Sequence, residues 1–344
     1  MTTMAVRAPL GWLGPGRLAA NASVVMDGDR IVYAGDARRA PGSEVTVLLD
    51  GVLLPAVADR HVHVGLADPG AILLGGVTAV RDLAWPAEEI FSLADASEGP
   101  NFNGPLVLAA GPMLTAPAGY PTRASWAPRG TGWEIRGSEE AAAAVRKLAD
   151  RGAAHIKVSL NAEAGPTPSD DELVAIAQTA HELSLLVTAH VQGSGQAERA
   201  LGAGLDEFAH CPWTERLSDG VIEAMARSMR VVSTLDIHGY GEDSPALRVA
   251  MDNLWKFAAA GGRVLYGTDL GNGAIRPGIH LQEVVWLWEA GLGTDAILEA
   301  MMRAPLEPGA PADLIGVARN PFEDIEALGE LRLVVRSGQI ALQR

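Results

Sequence analysis

Two histidines stand two residues apart in Pro55-Ala56-Val57-Ala58-Asp59-Arg60-His61-Val62-His63-Val64. In an extended strand, residues i and i+2 share a face, so both imidazoles point one way while Val62 and Val64 point the other. Paired imidazoles at a strand end are natural ligands for a divalent metal; a pair of partly exposed histidines is the plainer alternative. Three further polar residues close apolar runs: His190 after Leu186-Val187-Thr188-Ala189, His210 after Glu207-Phe208-Ala209, and Asp269 after Val264-Leu265-Tyr266-Gly267-Thr268. Taken singly, each histidine also reads as a core or rim residue, and the aspartate as the cap of a turn. Lys157 lies in His155-Ile156-Lys157-Val158-Ser159-Leu160. Alternation puts His155, Lys157 and Ser159 opposite Ile156, Val158 and Leu160. The apolar set suits a helix-covered face, so Lys157 points inward, where an ammonium needs a partner. An ion pair with a carboxylate would provide one. Lysine is scarce in this chain, with only Lys147, Lys157 and Lys256 among 27 basic residues, so one inside an apolar strand stands out.

These residues sit at the ends of regularly spaced elements. Strands are predicted at 56–64, 77–83, 105–111, 154–160, 186–191, 206–211, 231–235 and 263–269, with helical stretches between most of them. Ser169 and Glu172 form a capping box opening a helix whose apolar face carries Leu173, Ile176, Ala180 and Leu183. Ser138, followed by two glutamates, opens another, with Ala141, Val145 and Leu148 as its stripe. Leu281, Val284, Val285 and Trp288 make a third stripe. Strand–helix alternation argues for parallel β structure, and eight units over roughly 250 residues match an α/β fold of the (β/α)8 TIM-barrel type. A doubly wound sheet is the alternative, but no Gly-x-Gly-x-x-Gly follows the first strand. Both chain ends are β-rich: Ala22 to Met26 turns through Asp27-Gly28-Asp29 into Arg30 to Ala34, and Leu331 to Arg336 turns through Ser337-Gly338. The predicted division is a small β-sandwich domain built from residues 1–54 and 306–344 around a barrel at 55–305.

The order His-x-His on strand one, lysine on strand four, histidines on strands five and six and aspartate on strand eight resembles the amidohydrolase superfamily. Val77-Thr78-Ala79-Val80-Arg81-Asp82, Gly267-Thr268-Asp269 and Ala310-Pro311-Ala312-Asp313-Leu314-Ile315 are similar to its branch of prolidase-like and imidazolonepropionase-like enzymes. The resemblance covers nearly the whole chain. The segment 301–308 is shorter than is usual there, which bears on how the barrel closes. It implies two divalent metal ions, zinc foremost: His61, His63 and Asp269 on one, His190 and His210 on the other, with Lys157 bridging them as an N6-carboxylated (carbamate) side chain. A single ion with Lys157 ion-paired is the internal alternative. The implied reaction is hydrolysis of an amide, peptide-like or cyclic, by a metal-bound hydroxide, with Asp269 as the catalytic proton carrier. A glutamate soon after the strand-five histidine, typical of purine and pyrimidine deaminases, is replaced here by Val191-Gln192-Gly193-Ser194.

Substrate selection is expected in the loops after the strands. The longest, 112–137, carries Tyr120, Arg123, Trp126 and Arg129, which could clamp a carboxylate and pack a ring; a surface loop pinned by its tryptophans is the other reading. His238, after strand seven, faces the same mouth and could bind substrate or donate to its carbonyl. His155 reads as structural, His181 as solvent-facing and Cys211 as packing; His280 has no evident role. Lactone or phosphoester hydrolysis on the same site, or a non-catalytic scaffold, are the competing functions.

Composition narrows the partners. Net charge is −15 over 344 residues, which disfavours a phosphate-tracking nucleic-acid binder. One cysteine permits no internal disulfide, residues 1–18 lack an apolar core of signal-peptide length, and no apolar run of membrane-spanning length occurs. A cytoplasmic globular protein acting on a small molecule or short peptide is expected, with no nucleic-acid or membrane partner, and the resemblance leaves room for a homo-oligomer.

Overall fold

Thr3–Trp12 and Leu18–Asp27 carry buried runs, Met4 to Val6 in the first and Ala22 to Met26 in the second, and in the computed structural model, which describes residues 3–99 and 101–344, the two pair antiparallel from Thr3↔Asp27 to Trp12↔Leu18. Asp27-Gly28-Asp29 then turns the chain into Arg30–Asp36, with Gly28 at φ +58°, the left-handed backbone such a turn requires. Val45–Leu48 and Val52–Pro55 run parallel to the first strand. Val52–Pro55 also pairs antiparallel with Leu314–Val317, which leads through Leu331–Arg336 to Gln339–Gln343. Both chain ends thus share one eight-stranded sheet. Val6, Val24, Met26, Ile31, Leu53, Leu314, Leu333 and Val335 fill its core.

Between these segments, strands and helices alternate as expected, and all strands of this region run parallel. Val57–Val62, Val77–Asp82 and Leu106–Ala109 form one sheet. Gly132–Glu134, Met113–Thr115, Ile156–Asn161, Val187–Gln192, Glu207–Phe208, Arg230–Val232 and Arg263–Leu265 form a second, in that order. The third predicted strand is broken. Gly111, at φ +77°, interrupts it after Ala109, and the chain resumes at Met113 to pair Leu114 with Val158. The eighth is a ladder strand only over Arg263–Leu265. Beyond it the chain bonds to the first strand instead: Arg60 N donates to Tyr266 O (3.0 Å), Asp269 N to His61 O (2.8 Å) and His63 N to Leu270 O (2.7 Å).

The helices cover these strands, with three departures from expectation. The capping box at Ser169 is present and opens Asp170–Glu182, but Leu183 is exposed at that helix's C-terminus. The helix Gly137–Asp150 starts before Ser138, because Glu172 from the neighbouring helix accepts the Gly137 N–H at 2.6 Å. In Leu281–Glu289 the buried face is Glu283, Val284 and Leu287, and Trp288 is exposed. A glutamate takes the inward position there because its carboxylate accepts the Asp236 N–H at 2.8 Å. Among the described residues no helix is long and apolar enough to cross a membrane.

Charge is buried within the strand layer. The fully buried Glu207 carboxylate accepts a two-pronged hydrogen bond from Arg81 and one from Thr188 Oγ1 at 2.9 Å, with Arg230 Nε at 3.3 Å. Burial alone would raise its pKa; the two guanidiniums hold it below the ordinary carboxylate value. Removing one member of such a group strands the others in low dielectric, which typically costs about 3–5 kcal/mol. Glu207→Ala should lose stability of that order in urea unfolding, whereas a loss under about 1 kcal/mol would mean that the arginines find solvent.

Candidate metal centre

The hydrogen bonds between the first and last strands bring His61, His63 and Asp269 together, although more than two hundred positions separate them in sequence. His61 Nε2 lies 3.1 Å and His63 Nε2 3.3 Å from the same Asp269 oxygen, Oδ1. One ligand atom from each residue falls within 4.8 Å of the others, and all three side chains are buried. No well-directed hydrogen bond reaches Asp269 Oδ1.

Each imidazole is aimed by a bond through its other nitrogen. His61 Nδ1 donates to Ala209 O (2.8 Å) and His63 Nδ1 to Ala84 O (3.1 Å), so Nε2 of each faces the aspartate. His210 Nδ1 contacts Thr234 Oγ1 at 2.8 Å. Its ring centroid is 4.5 Å from that of His61 and 5.0 Å from that of His190. Asn161 Nδ2 lies 3.3 Å from His190 Nε2. The four imidazoles are therefore contiguous, with His190 and His210 beside the tighter His61–His63–Asp269 group. Lys157 points inward from Ile156–Asn161, is fully buried, and its Nζ has no hydrogen-bond partner.

The backbone around these groups is braced by buried carboxylates. Asp59 accepts from His61 N (3.0 Å), Thr268 N (3.1 Å) and Thr268 Oγ1 (2.5 Å), tying first strand to last. Asp82 accepts from Val64 N (2.7 Å) and Ala84 N (3.2 Å), fixing the turn after His63. Asp269 itself sits at φ +56° and Thr234 at φ +41°, left-handed conformations that non-glycine residues seldom adopt and that concentrate at functional sites.

Electrostatics follow from burial. Desolvation pushes Lys157 down to about 7, despite the carboxylates of Asp269 and Glu207, so the neutral amine is accessible near neutral pH. It pushes His190 down to about 3 and His238 down to about 4. His61 and His210 are also lowered by burial. Burial would raise Asp269, but the surrounding imidazoles hold it well below the carboxylate range. Buried acceptors around an oxygen with no directed donor, beside an unpaired amine, are what a divalent cation would satisfy at once; the donor set fits such an ion.

The loop residues divide. Tyr120 and Trp126 lie against the imidazoles, Tyr120 on His190 and Trp126 on His63. Arg123 and Arg129 are exposed and enter no hydrogen bond or ion pair among the described residues. The predicted carboxylate clamp is thus not assembled, because the rings take the inward positions of this loop. The His238 ring lies 4.7 Å from that of Trp213, its Nε2 enclosed and without a partner. His155 is buried, and Cys211 packs with Sγ 3.1 Å from Ala250 O. His181 is exposed but pairs with Asp206 at 3.0 Å.

Sequence reading missed Trp213, whose ring stands 5.7 Å from His190, 5.5 Å from His210 and 4.7 Å from His238. Its place three residues after His210 was the available signal. His280 also acquires a role: its Nε2 lies 2.6 Å from Asp236 Oδ2, and Trp286 Nε1 donates to Oδ1 at 2.9 Å. With Glu283 on the Asp236 N–H, this network fixes the turn that carries His238.

The profile of the amidohydrolase family matches residues 70–303. Ochratoxinase of Aspergillus niger is 27% identical over 405 aligned residues, covering 93% of this chain and 82% of that protein. Its crystal structure superposes with a TM-score of 0.83 at 22% identity, covering 100% of this chain and 96% of the other. A Xaa-Pro dipeptidase with bound methionine in its active site also gives 0.83 at 22% identity, covering 98% and 99%. At such identities the structural likeness shows the fold alone.

The fully buried Glu283 carboxyl generates a pH prediction. Burial raises it from 4.5 to about 7. The folded chain therefore keeps a proton that the unfolded chain releases near 4.5, so this group's stabilising contribution is present below that pH and is lost as pH rises toward 7. A shift of this size corresponds to about 3 kcal/mol. Glu283→Gln should show a smaller fall in unfolding free energy between pH 5 and 8 than the unaltered protein. Equal falls would mean that Glu283 ionises freely in the folded state.

Proposed function

The chain belongs to the amidohydrolase family, and from that premise we propose that it is a metal-dependent hydrolase of amide bonds, peptide-like or cyclic. The observation that carries this reading is the convergence of His61 and His63 on one undonated oxygen of Asp269. We assign His61, His63 and Asp269 to one divalent ion and His190 and His210 to a second. Lys157, carboxylated at Nζ, would lie between them, and zinc suits the imidazole-rich donor set. The unpartnered, readily neutral amine supports the carbamate: it would take up carbon dioxide and release a proton. Bound there, such ions supply Lewis-acid polarisation of a carbonyl and acidification of water.

The chain's own residues then have separate tasks. Asp269, held ionised by its neighbours, can accept the proton of the attacking water and return it to the leaving nitrogen. His238, kept neutral by burial, presents an unpartnered Nε2 able to donate to a carbonyl oxygen in the corresponding tautomer. The bonds from His61 and His63 to Ala209 and Ala84 hold both rings in register, so little reorganisation accompanies the reaction. Tyr120 and Trp126 keep water away from the rings they cover.

Elemental analysis of purified protein should find about two divalent ions per chain, and chelation should abolish amide hydrolysis reversibly. A reproducible value near one would favour a single ion with Lys157 ion-paired; near zero would overturn the assignment. Lys157→Ala should lose most activity and part of the metal, with partial rescue by small carboxylic acids. Lys157→Arg should be equally inactive, because guanidinium stays charged. Full activity and metal in Lys157→Arg would exclude the bridge. Asp269→Asn should lower kcat by about 10²- to 10⁴-fold; a smaller loss would move the proton-carrying role elsewhere.

A further inference from the structure

Aromatic rings crowd the imidazole cluster from two separate stretches of chain. Trp126 stands with its centroid 4.5 Å from that of His63. Tyr120 stacks on His190 at 5.1 Å with planes 26° apart. Trp213 completes the wall, edge-on to His190 and His210 and 4.7 Å from His238. Trp126 Nε1 donates to Tyr120 Oη at 3.0 Å, so the two loop rings hold each other in place. Tyr120, Trp126 and Trp213 are all half-buried. The three rings border the imidazole cluster, and a ring bonded to a carbonyl held there can pack against them.

The charge of the group bonded to that carbonyl is constrained. A carboxylate would leave water for ring faces that carry negative quadrupole density, and Arg123 and Arg129 are exposed rather than turned in to meet it. A cation could use the ring faces, but the divalent ions assigned above stand behind the same imidazoles and repel it. A neutral planar ring has neither difficulty. It can stack offset or edge-on among the rings already there, and it leaves the enclosed Nε2 of His238 free for the amide.

We propose that Tyr120, Trp126 and Trp213 form a specificity slot for a neutral aromatic ring bonded directly to the scissile amide, so that the preferred substrates are aromatic amides rather than zwitterionic dipeptides. This rests on the amide-hydrolase reading above. The reaction consumes one water, breaks the C–N bond and releases a carboxylic acid and an amine.

The test uses matched probes on the metal-loaded full chain. Benzohydroxamate and acetohydroxamate share a metal-binding head and differ in the ring, so isothermal titration isolates the slot from turnover. Benzohydroxamate should bind at least tenfold more tightly. Trp126→Leu and Trp213→Leu, which keep apolar bulk, should each cut that advantage to about twofold. N-Methylbenzamide, whose ring sits on the carbonyl as in benzohydroxamate, should be hydrolysed with a kcat/KM at least tenfold above that of alanyl-proline. A ring advantage below twofold, its persistence in both variants, or faster cleavage of alanyl-proline would overturn the slot. Ring-selective binding without hydrolysis of any amide would support the slot and count against the hydrolase reading alone.

Discussion

The pairing of the first parallel strand with the last is the constraint on which the rest of the molecule depends. Asp269 N donates to His61 O, and Asp59 reaches across to both the N–H and the hydroxyl of Thr268. Without these bonds the two histidines and the aspartate would sit on strand ends with no reason to meet. With them, three ligating groups share one buried spot, and Nδ1 of each imidazole is occupied by a carbonyl from a neighbouring strand end. The cost of burying these groups is met by the backbone, because strand ends offer carbonyls in fixed directions. The same geometry puts Asp269 in a left-handed conformation that surrounding bonds must enforce.

Polarity in the interior is layered. The Glu207 carboxylate is met by two arginines and a threonine, whereas Lys157 is left without a partner. That contrast separates structure from chemistry: buried polar groups in a folded chain are normally satisfied, and an exception invites a functional explanation. The Asp236 carboxylate belongs with the satisfied groups. The network around Asp236 uses His280, Trp286 and Glu283 to stiffen a turn whose product is the position of one ring, His238.

Much of this was legible in the sequence because it depends on local rules. Period-two alternation placed Lys157, His61 and His63 on one face of their strands, and Ser169 with Glu172 announced a helix start through bonds four residues wide. The misreadings come from partners distant in sequence. Ser138 lost its capping role to Glu172 from another helix, and Trp288 yielded the inward position to Glu283 because a turn fifty residues earlier needed an acceptor. Arg123 and Trp126 lie on one loop with similar reach, and only the packing of rings on His63 and His190 decides which turns inward. His280 was illegible for the same reason, since its role is defined wholly by what it touches, whereas Trp213 offered only its closeness to His210 as a signal.

The sheet shared by the two chain ends has a consequence for how the protein is made. On a ribosome, Val52–Pro55 emerges with its parallel neighbour, but its antiparallel partner Leu314–Val317 is still roughly 260 residues from synthesis. At typical elongation rates that is a wait of tens of seconds. During this interval Leu53 and Leu54, both fully buried in the finished molecule, have one edge without a ladder. The nascent chain therefore carries an apolar, half-paired strand through most of its translation. Chaperone engagement should concentrate at this segment until Leu314–Val317 has been made and can complete the sheet.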